Sequence, residues 1–152
     1  MKKLTLKLIL PLTIISFIIF TKWWYVLVVD RRDEIMYGFP LIFTCRGFHA
    51  SLSSQVFIVE FMIDLLVYFL FWFMLVYMAN RFLFTIKLHK ALFIPLVTVT
   101  FISLGFAIFI ASKLENQFFL KRDFEIEKMK TGYNLIWQKQ IRPDYPKSYS
   151  GQ

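Results

Sequence analysis

The chain has 152 residues, of which 58% are hydrophobic, 20% aromatic and only 18% charged. Soluble domains run nearer ~45–50% apolar and ~25% charged, and a mean hydropathy of +0.58 points away from them. So small a chain cannot cover this much apolar surface with polar groups, which excludes a soluble globular enzyme, a disordered tail and a disulfide-stapled secreted module.

The 18 Lys+Arg outnumber the 10 Asp+Glu, giving a net charge of +8. On such an apolar chain this excess reads as basic flanks that orient membrane segments and meet anionic headgroups. Cys45 is the single cysteine, so no intrachain disulfide is available.

In chain order, Lys2 and Lys3 lead into an apolar run with no small-residue cleavage site. That pattern reads as an uncleaved signal anchor. The first span is expected over 8–25, with Pro11 near its start, where a missing N–H costs least. Lys22, Trp23, Trp24 and Tyr25 read as an interfacial belt of amphipathic rings beside a snorkelling ammonium. A connector follows over 30–55. Its charged turn is Asp30-Arg31-Arg32-Asp33-Glu34, and 26–29 and 35–37 on either side could pair as a short hairpin. Gly38-Phe39-Pro40 breaks regular structure. The apolar stretch 41–48 is too short to span and is expected on the membrane surface. Two blocks, 37–40 and 45–49, have the look of a signature.

The second span is expected over 56–79, with Ser51, Ser53 and Ser54 as candidates to cap its start. The third is expected over 91–112. Between them Arg81, Lys87 and Lys90 stand without an acid. The tail 113–152 is mixed in charge, with an amphipathic helix expected over 118–137 and an unstructured end carrying Pro143 and Pro146. The fold class expected is an all-α integral membrane protein: three transmembrane helices in one domain over 1–112, a connector of about 30 residues and a partly helical extramembrane tail over 113–152. Basic residues are densest before the first span and between the second and third. That predicts an inside N-terminus and an outside C-terminus in a bacterial-type inner or plasma membrane.

The costly residues are Glu60 and Asp64, which share one helix face at i, i+4. An acid at mid-membrane costs ~2.5–3.5 kcal/mol, so each needs a partner or a cavity. Depth along the helices predicts Lys22 as the partner of Glu60. It predicts hydroxyls of Thr100 and Ser103, with Thr13 and Ser16, as partners of Asp64. Ser103, Ala107 and Ala111 form a small-residue seam that lets helix backbones approach closely. Phe69, Phe71, Trp72 and Phe73 are expected to face outward.

Cys45 and His49 are two potential ligands, short of the three or four that zinc requires, and His89 is isolated. Phosphate-loop, dinucleotide-binding, metalloprotease and nucleophile-elbow motifs are absent from the sequence. The basic clusters at 31–32, 121–122 and 128–130 alternate with acids, which reads as a self-paired surface and not a polyanion channel. The function expected is therefore non-catalytic, without metal or cofactor: a scaffold or accessory subunit of a larger membrane complex. Its expected partners are the lipid bilayer and other membrane proteins or its own copies, with no nucleic acid. The alternative is a proton- or ion-coupled transport subunit using Asp64 with Glu60.

Overall fold

The computed structural model describes residues 5–28, 33–47, 53–83, 90–113 and 115–135. Its centre is a six-stranded mixed sheet, not an all-α bundle. The strands are β1 (Phe20–Val28), β2 (Glu34–Tyr37), β3 (Thr44–Arg46), β4 (Ser54–Phe57), β5 (Gln117–Phe119) and β6 (Ile126–Leu135). Their spatial order is β5-β4-β3-β2-β1-β6. Every pairing is antiparallel except β4 with β5, which is parallel. Three helices accompany it: α1 (Leu10–Ile19), α2 (Ile58–Met78) and α3 (Lys90–Ala111). The fold is thus mixed α/β, and the reading as an all-α, multi-pass bundle of three spans does not hold.

The first expected span is where that reading fails. A π-helical turn over Thr5–Ile9 leads into α1, which is only 10 residues long, with Pro11 in its first turn. Ten residues rise about 15 Å, half of a ~30 Å hydrocarbon core. At Phe20 the backbone turns extended (φ −112°, ψ 120°) and runs straight into β1. The sequence Trp23-Trp24-Tyr25-Val26-Leu27-Val28 is aromatic and β-branched, which suits a pleated strand. Its alternation is visible in the core: Trp24, Val26 and Val28 join Met36, Ile42, Cys45 and Phe57 in one buried cluster. The belt of aromatics expected at a headgroup layer is therefore largely sheet interior, with Tyr25 buried and its hydroxyl donating to Asp33 at 2.7 Å.

Strands β1 and β2 pair antiparallel on either side of the charged segment, but not in the expected register: 35–37 face 23–25 and not 26–29. Val26 faces Glu34, Tyr25 faces Ile35, Trp24 faces Met36 and Trp23 faces Tyr37. The segment 41–48, expected on a membrane surface, supplies β3, while residues 48–52 lie outside those described. The tail expected as an amphipathic helix supplies β5 and β6, and β6 lies along β1 from Phe20↔Leu135 to Val28↔Ile126, with a bulge beside Tyr25/Val26. Glu125-Ile126-Glu127 alternates with period two, and a strand places its isoleucine inward. Phe124, just before β6 at one edge of the sheet, meets Phe57 on β4 near the other edge at 5.8 Å between ring centroids. The sheet therefore curls around its core.

Helices α2 and α3 form the crossover between parallel strands β4 and β5, a connection that parallel pairing requires. Phe57 ends β4 and Ile58 starts α2 with no linker. Neither Ser53 nor Ser54 caps α2. Phe57 occupies the cap position without a side-chain bond, and Ser51 lies outside the described residues. At the other end the Asn116 amide donates to the carbonyls of Ile110 (2.7 Å) and Ala111 (3.4 Å), and its oxygen accepts from Ser54 N at 3.0 Å. One side chain thus closes the end of α3 and ties it to β4.

Among the described residues two stretches are long and apolar enough to span a membrane, Ile58–Phe82 with 25 residues and Lys90–Ala111 with 22. They rise about 37 and 33 Å. In an 18-residue apolar segment of each, only 17% and 6% of the residues are buried within the fold.

Candidate functional site

The buried face of α2 is a stripe at spacing four: Glu60, Asp64, Tyr68, Trp72 and Val76. Each polar tip on it meets a different piece of the chain. Asp64 is fully buried, and its carboxylate accepts from two backbone amides, Phe39 N (2.6 Å) and Leu41 N (2.8 Å). The Tyr68 hydroxyl donates to the carbonyl of Phe20 at 2.8 Å, where α1 becomes β1. Trp72 Nε1 donates to Ser16 Oγ on α1 at 2.8 Å. The pairings 68 with 20 and 72 with 16 run α1 antiparallel to α2.

The loop that Asp64 holds is the block 38–41. Gly38 has φ +149°, a region L side chains rarely adopt, and an added Cβ would collide with the carbonyl oxygen of Leu41. Only glycine serves there. The Phe39–Pro40 peptide is cis. Gly38 N donates to Lys22 O, and Gly38 O accepts from Trp24 Nε1, both at 2.9 Å. Strand β1, the loop and α2 are therefore locked together. Asp64 lies about 9 Å along α2 from Ile58, and the loop descends to meet it. Next to the loop, burial raises the phenol of Tyr37 above its ordinary value, with Glu34 adding to the rise and Arg46 opposing it.

The partners expected for the acids are not the observed ones. Lys22 does not pair with Glu60. Its ammonium sits over the Trp24 ring at 3.7 Å and 5.8 Å from the Tyr133 ring. Lys22 leaves from strand β1, and a strand directs residues two apart to the same face, so the neighbouring indole is within easy reach. Glu60 Oε1 accepts a long bond from Arg122 N (3.4 Å), and Oε2 is buried with no partner among the described residues. Thr100 is buried but returns its hydroxyl to Leu96 O at 2.8 Å, and Thr13 bonds Ile9 O at 2.9 Å. Ser103 and Ala107 lie on the half-buried face of α3, and Ala111 is exposed. Ser16 faces Trp72 and not Asp64, and Trp72 turns inward where an outward ring was expected. Cys45 is buried in the core, its thiol 3.7 Å from Gln55 Oε1. His49 and His89 lie outside the described residues. Among the described residues no group of three His, Cys, Asp or Glu could hold a metal ion.

Between α1 and α2 lies an apolar slot of about 260 Å³, lined by Ser16, Phe20, Phe39, Val67, Tyr68, Phe71 and Trp72. Its polar tips are already bonded within the fold, so it can offer only dispersion and apolar burial to a guest. Sequence reasoning missed Tyr68, Trp72 and Phe39 as its framework. The recurrence of polar-tipped residues every fourth position in α2 was the available signal.

No protein-family model, curated protein or solved structure matches the chain.

Proposed function

We propose that this protein is a non-catalytic integral-membrane subunit, a scaffold or accessory of a larger membrane complex. In this reading the α2–α3 hairpin lies in the bilayer and carries the curled sheet at one end, where the Gly38 loop and the start of β1 reach down α2 to Asp64 and Tyr68. The single observation behind it is that two helices of spanning length have few fully buried residues, and α3 above all is left exposed by the rest of the fold. Phe101, Ile102, Phe106 and Phe109 on α3 are all more than half exposed, and a contiguous apolar face of this kind is covered by lipid or by a partner. Each oxygen of the Asp64 carboxylate accepts a bond from its own loop, which supports a role in assembly of the fold.

Charge supports the orientation. Arg81 and Lys90 stand at the end of the α2–α3 hairpin remote from the sheet. No acid occurs over 79–90. A basic end of this kind faces the cytoplasm, with the sheet, and hence β6, on the outer side.

Pull-down of the tagged full chain from its native membrane in mild detergent tests the role. Stoichiometric co-purifying membrane proteins are expected. A lone homo-oligomer whose ion flux is lost in Asp64→Asn with assembly intact would establish the transport alternative instead.

A further inference from the structure

The slot has a companion feature at its sheet-side end. Two ammonium groups stand on one indole: Lys22 Nζ lies 3.7 Å and Lys128 Nζ 4.8 Å from the Trp24 ring. Among the described residues neither is paired with a carboxylate. The two charges are therefore no more than about 8.5 Å apart and repel, and a nearby anion offsets that repulsion. The Tyr133 ring links this basic spot to the slot. It lies 5.8 Å from Lys22 Nζ, and 5.4 and 5.9 Å from the rings of Phe20 and Phe39, both of which line the slot.

The geometry also has a direction. The slot runs along the helices, from Phe20 and Tyr68 near the sheet to Ser16 and Trp72 further from it. Phe71, 59% exposed, forms its rim, so the slot opens sideways where the proposed bilayer would be. At about 260 Å³ it is smaller than the ~300–1,000 Å³ of ordinary small-molecule sites, and it suits a single flexible chain. An apolar channel parallel to the helices with cations at its water-facing end matches one kind of molecule.

We infer that the slot holds one acyl chain of an anionic phospholipid, whose headgroup phosphate is received by Lys22 and Lys128. The inference rests on the bilayer placement of the hairpin proposed above. The slot contributes no headgroup preference of its own, since its polar atoms are already bonded. Selectivity comes from the two ammonium groups, and a basic residue near an anionic surface contributes about fivefold in binding.

The test reconstitutes the full chain in nanodiscs of equal phosphatidylglycerol and phosphatidylcholine, then identifies by native mass spectrometry the lipid retained after release. One retained phosphatidylglycerol is expected, with a preference of about tenfold or more over phosphatidylcholine that free inorganic phosphate does not displace. The double variant Lys22→Gln/Lys128→Gln should bring the preference close to one while keeping a lipid in the slot. Val67→Trp, which fills the slot, should remove the retained lipid altogether. Far-ultraviolet circular dichroism compared with the unaltered chain reports whether each variant is folded. Equal retention of the two lipids by the unaltered chain overturns the inference, as does an undiminished adduct in a folded Val67→Trp. Displacement by inorganic phosphate would reassign the lysines to a free anion and overturns the lipid source. A chain that leaves its native membrane in alkaline carbonate without detergent overturns the bilayer placement and the site with it. A chain that needs detergent yet shows no lipid preference overturns the site alone.

Discussion

Helices α2 and α3 are nearly equal in length and both strongly apolar, yet the rest of the molecule treats them differently. Along α2 a polar-tipped residue recurs every turn, and Asp64, Tyr68 and Trp72 grip the Gly38 loop, the start of β1 and α1 in succession. On α3 only Thr100 is buried, and its hydroxyl bonds to its own helix. The sheet grips α3 at its end, through Asn116. Hydropathy is blind to this distinction because it averages over all faces. What separates a structural helix from an exposed one is where its few polar atoms point and whether the chain supplies partners for them.

The contrast predicts a graded response to substitution. Asp64→Ala should be the most damaging change. It strands the amides of Phe39 and Leu41 in a buried site, and hydrogen bonds to a charged group contribute ~1.5–3 kcal/mol each. A loss of about 3–5 kcal/mol is expected in denaturant unfolding in detergent, with Asp64→Asn losing less because one oxygen remains. If Asp64→Ala unfolds like the unaltered chain, the two helices are not different in kind. Gly38→Ala comes next. It forces a Cβ onto the Leu41 carbonyl at positive φ, and about 1–3 kcal/mol should be lost. Its near-ultraviolet tryptophan signal should change, because Trp24 bonds to the carbonyl of the same residue.

Tyr68→Phe removes one donor and leaves the Phe20 carbonyl without it. About 1–2 kcal/mol is expected by the same unfolding measurement. On α3, Phe101→Leu at a 70% exposed position should shift stability by less than about 0.5 kcal/mol. Its effect belongs in the yield of co-purifying proteins, which should fall if α3 contacts a partner. A large stability loss from Phe101→Leu, with no change in what co-purifies, would mean that α3 is covered within the fold and would remove the contrast.

The apolar stretches of α2 and α3 were legible from the sequence, as was the tension created by placing Glu60 and Asp64 in one of them. That 35–37 would pair with the segment before the charged residues was legible too, but not the register, which uses 23–25 in place of 26–29. The identity of the partners was not. Depth counting assumed three parallel cylinders and sought hydroxyls on neighbouring helices. It had no way to foresee a loop from the connector reaching the acid, because that contact joins residues 25 apart in sequence, Phe39 and Asp64. The tail misled for a related reason. Residues 118–137 carry apolar side chains at spacings compatible with either helix or strand, and only the nine-residue β1 waiting beside them makes the strand the better use of the backbone.

By itself the sequence determined quantities that are sums: how apolar the chain is, where its long apolar runs lie, and where charge is concentrated. These depend on composition within a window. Tertiary structure alone decided that the run 20–28 is a strand in a curled sheet, that the tail returns to pair with it, and that Asp64 is satisfied by two amides of a glycine-opened loop. Those outcomes depend on hydrogen-bond partners far away in the chain. A backbone group inside a protein must find some partner, but local pattern does not say which one.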